Sequence, residues 1–186
     1  MNMDENIIDE PSHDLFTPAD RWILSAANTL AKDVTDNMDK FELGIAVQKV
    51  YDFIWDEFCD WYVEMAKFRI YHKEEAPEAA NCALWVLKTV LAQGLKLLHP
   101  FMPFITEHLW QHLPHSGETL ARAPWPAADE RLRFPEEREQ MERIMDAIKA
   151  VRNMRAEANV APNRMCHIRI AVHRDDLKKC IETHEE

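Results

Sequence analysis

The chain has 186 residues, 47% of them apolar, and a formal net charge of −11. This size suffices for one domain with a core. The sequence contains no run of about 18 apolar residues, so no membrane span is predicted. The negative charge argues against a general nucleic-acid binder, so any RNA contact must come from a local basic patch. Only 3 residues are glycine, which disfavours tight hairpins and glycine-rich phosphate loops and favours helices.

Residues 1–16 are predicted to be a lead-in linker, and the first helix begins directly after them. Thr17 can cap the helix, Pro18 suits the first helical position, and Asp20 complements the positive end of the helix dipole. Apolar residues then recur every three or four positions, which predicts an amphipathic helix to about Asp39. These residues are Ile23, Ala27, Leu30, Val34 and Met38.

A second helix is predicted to begin near Leu43 and to form the centre of a bundle, because it carries two neighbouring apolar stripes. The first stripe consists of Leu43, Val47, Val50, Ile54, Phe58, Trp61, Met65 and Phe68, and the second of Tyr51, Trp55, Cys59, Tyr62 and Ala66. An acidic ridge, which would repel phosphate, fills the remaining face with Asp52, Asp56, Asp60 and Glu64. Basic residues gather at the end of the helix, at Lys67, Arg69, His72 and Lys73.

Three further helices are predicted. One begins near Pro77 and is stopped by Pro100, and a short one follows from about residue 102 to residue 112. A proline-bearing loop, residues 114–135, then leads to a fifth helix over about residues 136–158. The predicted inward residues are Leu84, Leu87, Leu91, Leu95 and Leu98 in the third helix, and Met141, Ile144, Ile148 and Val151 in the fifth.

After Pro162 the apolar period changes to two, which predicts a strand. Its apolar residues are Cys166, Ile168, Ile170 and Val172. Because a single strand cannot form a stable sheet, residues 161–186 are expected to be an incomplete small α/β unit of a truncated chain. The predicted fold class is therefore mainly α, with a helical bundle over residues 17–160 and a truncated α/β appendage.

Two patterns in the sequence could indicate a catalytic site. His108 and His112 are four apart on a predicted helix, but Leu109 stands where a zinc hydrolase needs glutamate, so two solvated histidines are favoured over a metal site. Cys59 lies on an aromatic stripe, where a buried thiol is favoured over a nucleophile. We expect no catalytic residue and no metal. Scattered cysteines without a Cys-x-x-Cys pair indicate a reducing compartment, the cytoplasm.

RNA contact is the third candidate, because cations concentrate at two places. These are the end of the second helix, with Lys67, Arg69 and Lys73, and a ridge of the fifth, with Lys149, Arg152 and Arg155. Cations near a helix C-terminus also complement its dipole without any ligand. Aromatic residues of the second helix could stack unpaired bases, or they could belong to the core.

Five collinear segments resemble the helical anticodon-binding domain of valyl-tRNA synthetases, over about residues 15–173. The His-Pro-x-x-Pro-Phe element is shared with synthetases for isoleucine and leucine, whereas the Asp-Trp-Tyr-x-Glu run favours valine. Ala26 stands where the family often has arginine, and the motifs of the catalytic and editing domains are absent. The five segments are residues 20–25, 58–67, 97–107, 123–126 and 151–162.

The resemblance implies a cytoplasmic, monomeric parent enzyme that attaches valine to tRNA(Val) with ATP and Mg²⁺. These 186 residues would need no cofactor and would hold the anticodon stem-loop beside the catalytic domain of the same chain. The alternatives are the equivalent domain of an isoleucyl- or leucyl-tRNA synthetase, and a helical protein-interaction module without a nucleic-acid role. The expected tRNA contacts are Lys67 and Arg69 as phosphate anchors, Arg152 and Arg155 at the stem or against the bundle, and Phe58, Asp60 and Trp61 near the loop.

Overall fold

A computed structural model of the chain describes residues 10–161, 164, 165 and 167. This part of the chain is mainly helical and contains no β-strand, so the predicted mainly α fold is confirmed. The helices are α1 (Pro18–Asp39), α2 (Leu43–Asp52), a π-helical segment (Phe53–Val63), α3 (Glu64–Tyr71), α4 (Pro77–Leu98), α5 (Pro103–Trp110) and α6 (Pro135–Glu157). Short 3-10 turns occur at His13–Leu15, Leu120–Arg122 and Glu130–Leu132.

The chain divides into two compact units, Met1–Pro135 and Glu136–Glu186. Helices α1 to α5 belong to the first unit, and all but the first residue of α6 belongs to the second. The predicted bundle over residues 17–160 therefore includes parts of both units. The predicted strand lies outside the described residues except for His167, so the small α/β unit stays a prediction.

Helix α1 begins with the predicted cap. The Thr17 hydroxyl accepts a hydrogen bond from the backbone N–H of Asp20, and the Asp20 carboxylate accepts one from the backbone N–H of Thr17. This reciprocal pair satisfies two N–H groups that a helix N-terminus otherwise leaves without a partner. The predicted apolar face is buried at Ile23, Ala27, Leu30 and Val34, and only Met38, near the last turn, is half-buried.

The predicted second helix forms without a break as α2, the π-helical segment and α3. Its buried residues differ from the predicted stripes, because i→i+5 hydrogen bonding shifts side chains away from a 3.6-residue repeat. Phe53 is buried where Ile54 was expected, and Trp55 and Phe68 are exposed. Leu43, which begins α2 before the π-helical segment, is also exposed. The buried residues are Ala46, Val50, Phe53, Phe58, Trp61, Tyr62 and Ala66.

Helix α4 has the predicted start at Pro77 and packs against α1, α3 and α5. Its core face is rotated from the predicted leucine stripe, since Leu87 and Leu95 are buried but Leu84, Leu91 and Leu98 are only half-buried. Trp85 and Leu97 are also buried, and the other core positions of α4 are small, which lets neighbouring helices approach closely. They include Ala80, Cys82, Ala83, Val86, Val90 and Gly94.

The residues before α1 and after α5 are anchored to the bundle. Phe16, the last residue of the predicted linker, is buried and stacks on Trp85, with ring centroids 5.8 Å apart. In the predicted loop, the Asn28 side chain donates to the carbonyl oxygens of Asp129 (2.8 Å) and Leu132 (2.9 Å) and accepts from the Asp129 N–H (3.0 Å). A side chain of α1 thereby fixes the loop.

Within the residues that the structure describes, no helix has the length and apolarity needed to cross a membrane.

Candidate nucleic-acid interface

Arg69, one of the two predicted phosphate anchors on α3, forms an internal ion pair. Its two terminal nitrogens donate to the two oxygens of Asp20, at 2.8 and 2.6 Å. Tyr62 donates to the same carboxylate at 2.5 Å, and the Thr17 hydroxyl donates to it at 2.8 Å. The Asp20 side chain is inaccessible to solvent and that of Arg69 is 15% exposed. The guanidinium thus joins α3 to the start of α1, and we do not carry Arg69 forward as a phosphate anchor.

The electrostatics of this buried pair favour its charged form. Burial alone would raise the pKa of Asp20, but the hydrogen bonds and charge of Arg69, together with Tyr62 and Thr17, outweigh it and lower that pKa. Burial would lower the pKa of Arg69, and Asp20 raises it. Burial and the Asp20 carboxylate both raise the pKa of Tyr62. The tyrosine therefore stays a neutral donor and the pair stays ionised.

Lys67, the other predicted anchor on α3, lies at the surface, and its ammonium contacts Glu64 at 2.5 Å. The hydrogen bond to Glu64 raises the pKa of Lys67, so the lysine remains charged. Glu64 belongs to the predicted acidic ridge, whose four members are all exposed. A phosphate that approaches Lys67 must therefore compete with a neighbouring carboxylate. Asp60, the predicted acidic residue near the loop, belongs to the same exposed ridge.

The aromatic residues predicted to lie near an RNA loop are in the core. Phe58 is 6% exposed and Trp61 is 9% exposed, so neither ring offers a face to a base in this structure. Two other aromatics of the same helix are open instead. Tyr51 is 56% exposed and Trp55 is 52% exposed, and their ring centroids lie 6.2 Å apart. Sequence reasoning placed both on a buried stripe, although their acidic neighbours Asp52 and Asp56 signal a solvated face.

The predicted cationic ridge of α6 lies in the second unit, where Lys149 and Arg152 are exposed. Residues 147–156 contain three cations and no carboxylate, whereas residues 136–146 contain five carboxylates. Arg155 is half-buried, and one of its terminal nitrogens donates at 2.9 Å to the carbonyl oxygens of Ala161 and Arg164. Arg155 therefore ties the end of the helix to the chain that follows.

A C-terminal cap defines where α6 ends. Asn159 has a φ of 53°, its N–H donates to the carbonyl of Ala156, and the N–H of Val160 donates to the carbonyl of Arg155. This is a Schellman arrangement with asparagine in the left-handed position that glycine usually occupies. The cap ends the helix just after Arg155, so the cationic segment forms the last turns of α6.

The His-Pro-x-x-Pro-Phe element has a structural role around α5. The ring of His99 contacts the Thr106 hydroxyl at 2.8 Å, and that hydroxyl donates to the carbonyl of Met102. Glu107 accepts hydrogen bonds from the hydroxyl of Thr119 (2.8 Å) and the N–H of Leu120 (2.9 Å). The contact of His99 with Thr106 and the contacts of Glu107 therefore fix α5 between α4 and the loop that follows.

His108 on α5 and His112 in the turn after the helix form a pair at the surface. The rings of His108 and His112 are 4.7 Å apart and both are exposed. In the described part of the chain, no group of three or more histidine, cysteine, aspartate or glutamate residues could hold a metal ion. Cys59 is half-buried, and burial followed by the Asp60 charge raises the pKa of its thiol. A protonated, part-buried thiol is a poor nucleophile.

Comparison with known proteins agrees with the predicted resemblance. The family model described as the anticodon-binding domain of tRNA ligase matches residues 20–170. The chain is 47% identical over 171 residues to a valine--tRNA ligase of Clostridium acetobutylicum and 45% identical over 173 residues to one of Bacillus thuringiensis. A valine--tRNA ligase of Carboxydothermus hydrogenoformans is 45% identical over 166 residues.

These alignments cover 91%, 91% and 89% of the chain but only 19% of each relative. The matched region runs from the third residue of α1 through α6, and so it contains both the Asp20–Arg69 pair and the cationic end of α6. The similarity thus extends over the whole described fold rather than a single motif. The chain belongs to the family of anticodon-binding domains of tRNA ligases, and its sequence is 45–47% identical to the matching region of these valine--tRNA ligases.

Proposed function

We propose that the chain holds the anticodon stem-loop of tRNA(Val) as part of a cytoplasmic, monomeric valine--tRNA ligase, which attaches valine to that tRNA with ATP and Mg²⁺. The observation that carries the proposal is the family match over residues 20–170. Sequence identity of 45–47% to proteins named valine--tRNA ligase supports valine over the other amino acids. Activation and transfer of valine would take place on the parent's other domains.

Phosphate contacts are assigned to the end of α6. Lys149 and Arg152 are exposed, and residues 147–156 contain three cations and no carboxylate in a chain of net charge −11. Such cations bind the RNA backbone by releasing condensed counterions, and they set the register without reading sequence. Arg155 has a second role because it also holds the chain after the helix.

Base contacts are assigned to the exposed part of the central helix. Trp55 and Tyr51 present aromatic faces on which unpaired bases can stack, an interaction worth about 1–3 kcal/mol per base. The neighbouring ridge carboxylates, among them Asp60, repel phosphates and can accept hydrogen bonds from base amino groups. Phe58 and Trp61 are buried, so no base contact is assigned to them.

The proposal is tested by fluorescence titration of tRNA(Val) with the chain over a range of salt concentrations. Exchanging Lys149 and Arg152 together for glutamine removes two cations, so the slope of log affinity against log salt should become shallower by about 0.7–0.9 per lost phosphate contact. The matched control exchanges Arg138 and Arg143 of the same helix, which lie among the five carboxylates of residues 136–146. That control should leave the slope unchanged.

A second variant tests the base contacts. Trp55→Ala should weaken tRNA binding about 5- to 150-fold, the equivalent of losing one stacked base. Stability should change little, because the side chain is half exposed. Phe104→Ala, at a 90% exposed phenylalanine on α5, is the control and should bind tRNA normally. Equal binding by all variants, or equal affinity for tRNA(Ile) and tRNA(Leu), would contradict the proposal.

A further inference from the structure

Trp110, the last residue of α5, has a buried indole N–H without a partner. The residue is 5% exposed and packs with Leu95 and Leu120 in a small core cluster. Its Nε1 atom has no hydrogen-bond acceptor among the residues that the structure describes. Because nearly all buried polar groups in proteins are paired, a buried N–H that the chain leaves unpaired indicates an acceptor from outside the chain, either a water or a bound ion.

A cation without a carboxylate partner lies beside the same indole. The Nζ atom of Lys96 on α4 is 5.6 Å from the centroid of the Trp110 ring. Lys96 is half-buried, and burial lowers its pKa with no described carboxylate to offset the effect. The aromatic ring compensates the ammonium only in part. An anion that reached Lys96 would supply the counter-charge that this half-buried cation lacks.

A histidine adds a third nitrogen group. The ring centroid of His115, in the loop after α5, is 5.0 Å from that of Trp110, and the residue is half-buried. Its Nδ1 atom donates to the carbonyl of Leu113 at 2.8 Å, so Nε2 is the ring nitrogen that can take up a second proton. Nitrogen groups from α4, from α5 and from the following loop therefore lie around one indole ring.

The charges around these three groups favour a phosphate. Residues 79–106, which include most of α4, contain no carboxylate. The carboxylate of Glu107, one turn before Trp110, is already held by the hydroxyl of Thr119 and the N–H of Leu120. A phosphate group presents strong acceptor oxygens in several directions, so it can bind donors from different elements at once, whereas the two oxygens of a carboxylate lie in one plane.

We propose that Lys96, His115 and the indole N–H of Trp110 form a binding site for a phosphate group. The flexible four-carbon stem of Lys96 lets its ammonium move from the indole ring to the anion. The N–H then gains the acceptor that the chain does not supply, in a charge-assisted hydrogen bond. This site uses none of the residues proposed above for RNA contact, and the phosphate group can belong to an RNA backbone or to a free phosphate ion.

The indole N–H itself reports binding, in proton–nitrogen correlation spectra of the chain labelled with nitrogen-15 tryptophan. Trp110→Phe identifies the Trp110 signal by its loss. Inorganic phosphate, added at constant ionic strength with chloride as the balancing anion, should move this signal downfield to saturation, because a charged acceptor strengthens the hydrogen bond. Lys96→Met should weaken the apparent phosphate affinity about 10- to 150-fold, the equivalent of one hydrogen bond to a charged group.

Lys88→Met is the matched control, because it removes another half-buried lysine about two turns earlier on α4. The control should bind phosphate like the unchanged chain. A Trp110 signal that inorganic phosphate does not move, which is the result if a buried water is its partner, would overturn the proposal. Equal phosphate affinity in Lys96→Met, or an equal loss in Lys88→Met, would overturn it as well.

The same titration with an anticodon stem-loop hairpin of tRNA(Val) identifies the source of the phosphate. Movement of the Trp110 signal by the hairpin and by inorganic phosphate assigns the site to a backbone phosphate, and movement by inorganic phosphate alone assigns it to a free ion. The two proposals fail separately. RNA binding with a Trp110 signal that neither probe moves contradicts only the phosphate site, and a signal that phosphate moves in a chain that binds no RNA contradicts only the proposed function.

Discussion

The buried Asp20–Arg69 pair gives the sharpest prediction about this fold. Arg69→Met keeps most of the side-chain volume but removes the counter-charge and the two guanidinium donors of the Asp20 carboxylate, leaving only the donors of Tyr62 and Thr17. Asp20 has no solvent contact, so water cannot replace them without opening the structure. Removing one partner of a buried ion pair typically costs about 3–5 kcal/mol, and we expect a loss of that size in the free energy of unfolding at pH 7.

The sign of the pH dependence follows from the direction of the pKa. In the native protein the pKa of Asp20 is lowered, so the pair contributes stability that is fully present above the unfolded value of about 3.9 and is lost as the pH falls through the lower, folded pKa. In the Arg69→Met variant, burial without a counter-charge raises that pKa instead. The stability deficit of the variant should therefore be largest near neutral pH and shrink towards pH 4.

Urea denaturation followed by circular dichroism, repeated between pH 4 and pH 8, measures both quantities. A double-mutant cycle with Asp20→Asn isolates the coupling between the two side chains. A loss below about 1 kcal/mol, the range of exposed ion pairs, would refute the buried-pair assignment. If that small loss came with a shallower salt dependence of tRNA binding, Arg69 would be a phosphate anchor after all.

Three other predictions concern packing and reactivity. Gly94→Ala should raise stability by about 0.5–1 kcal/mol in thermal unfolding, because the added Cβ would meet Ile54 at an ordinary 3.6 Å; a lower melting temperature would contradict this packing. Asn28→Ala should cost about 1–3 kcal/mol and speed proteolysis within residues 114–135, since peptide groups of Asp129 and Leu132 lose their partner; unchanged cleavage would argue against the clamp. Cys82, fully buried with a pKa raised to about 11 by burial and then Asp20, should resist iodoacetamide at pH 8 until urea unfolds the chain, and rapid alkylation of the native protein would show that the thiol is accessible.

The helix pattern of the described fold was largely predictable from local signals. Thr17 and Pro18 predicted the start of α1, and Pro77 predicted the start of α4. Helix α6 was predicted to begin at residue 136 and begins at Pro135, so all three predicted starts lie within one residue of the observed ones. These signals act within one helical turn, so they need no knowledge of the tertiary fold. The helix-period stripe failed in the central helix because the π-helical segment changes the repeat, which exposed Trp55 and buried Phe53.

The candidate site was less predictable, because its groups come from distant parts of the chain. Nothing in the spacing of Asp20 and Arg69 indicates that they form an ion pair 49 residues apart, and a cation near a helix end looks the same in sequence whether it binds phosphate or a buried carboxylate. The cationic ridge of α6 was predictable from the three-residue spacing of Lys149, Arg152 and Arg155, since this signal depends only on neighbouring residues of one helix. The ion pair with Asp20 is therefore the reason why Arg69 is not among the proposed RNA contacts, whereas Lys149 and Arg152 are proposed because they are exposed.

The most direct test of the account is binding of an isolated tRNA(Val) anticodon stem-loop hairpin to the chain and to the full-length ligase. We predict salt-dependent binding that weakens when the anticodon bases are replaced, and that also weakens with Trp55→Ala and with the Lys149, Arg152 double exchange. Binding that ignores both the anticodon sequence and these substitutions, or no binding to the full-length protein at low salt, would contradict it.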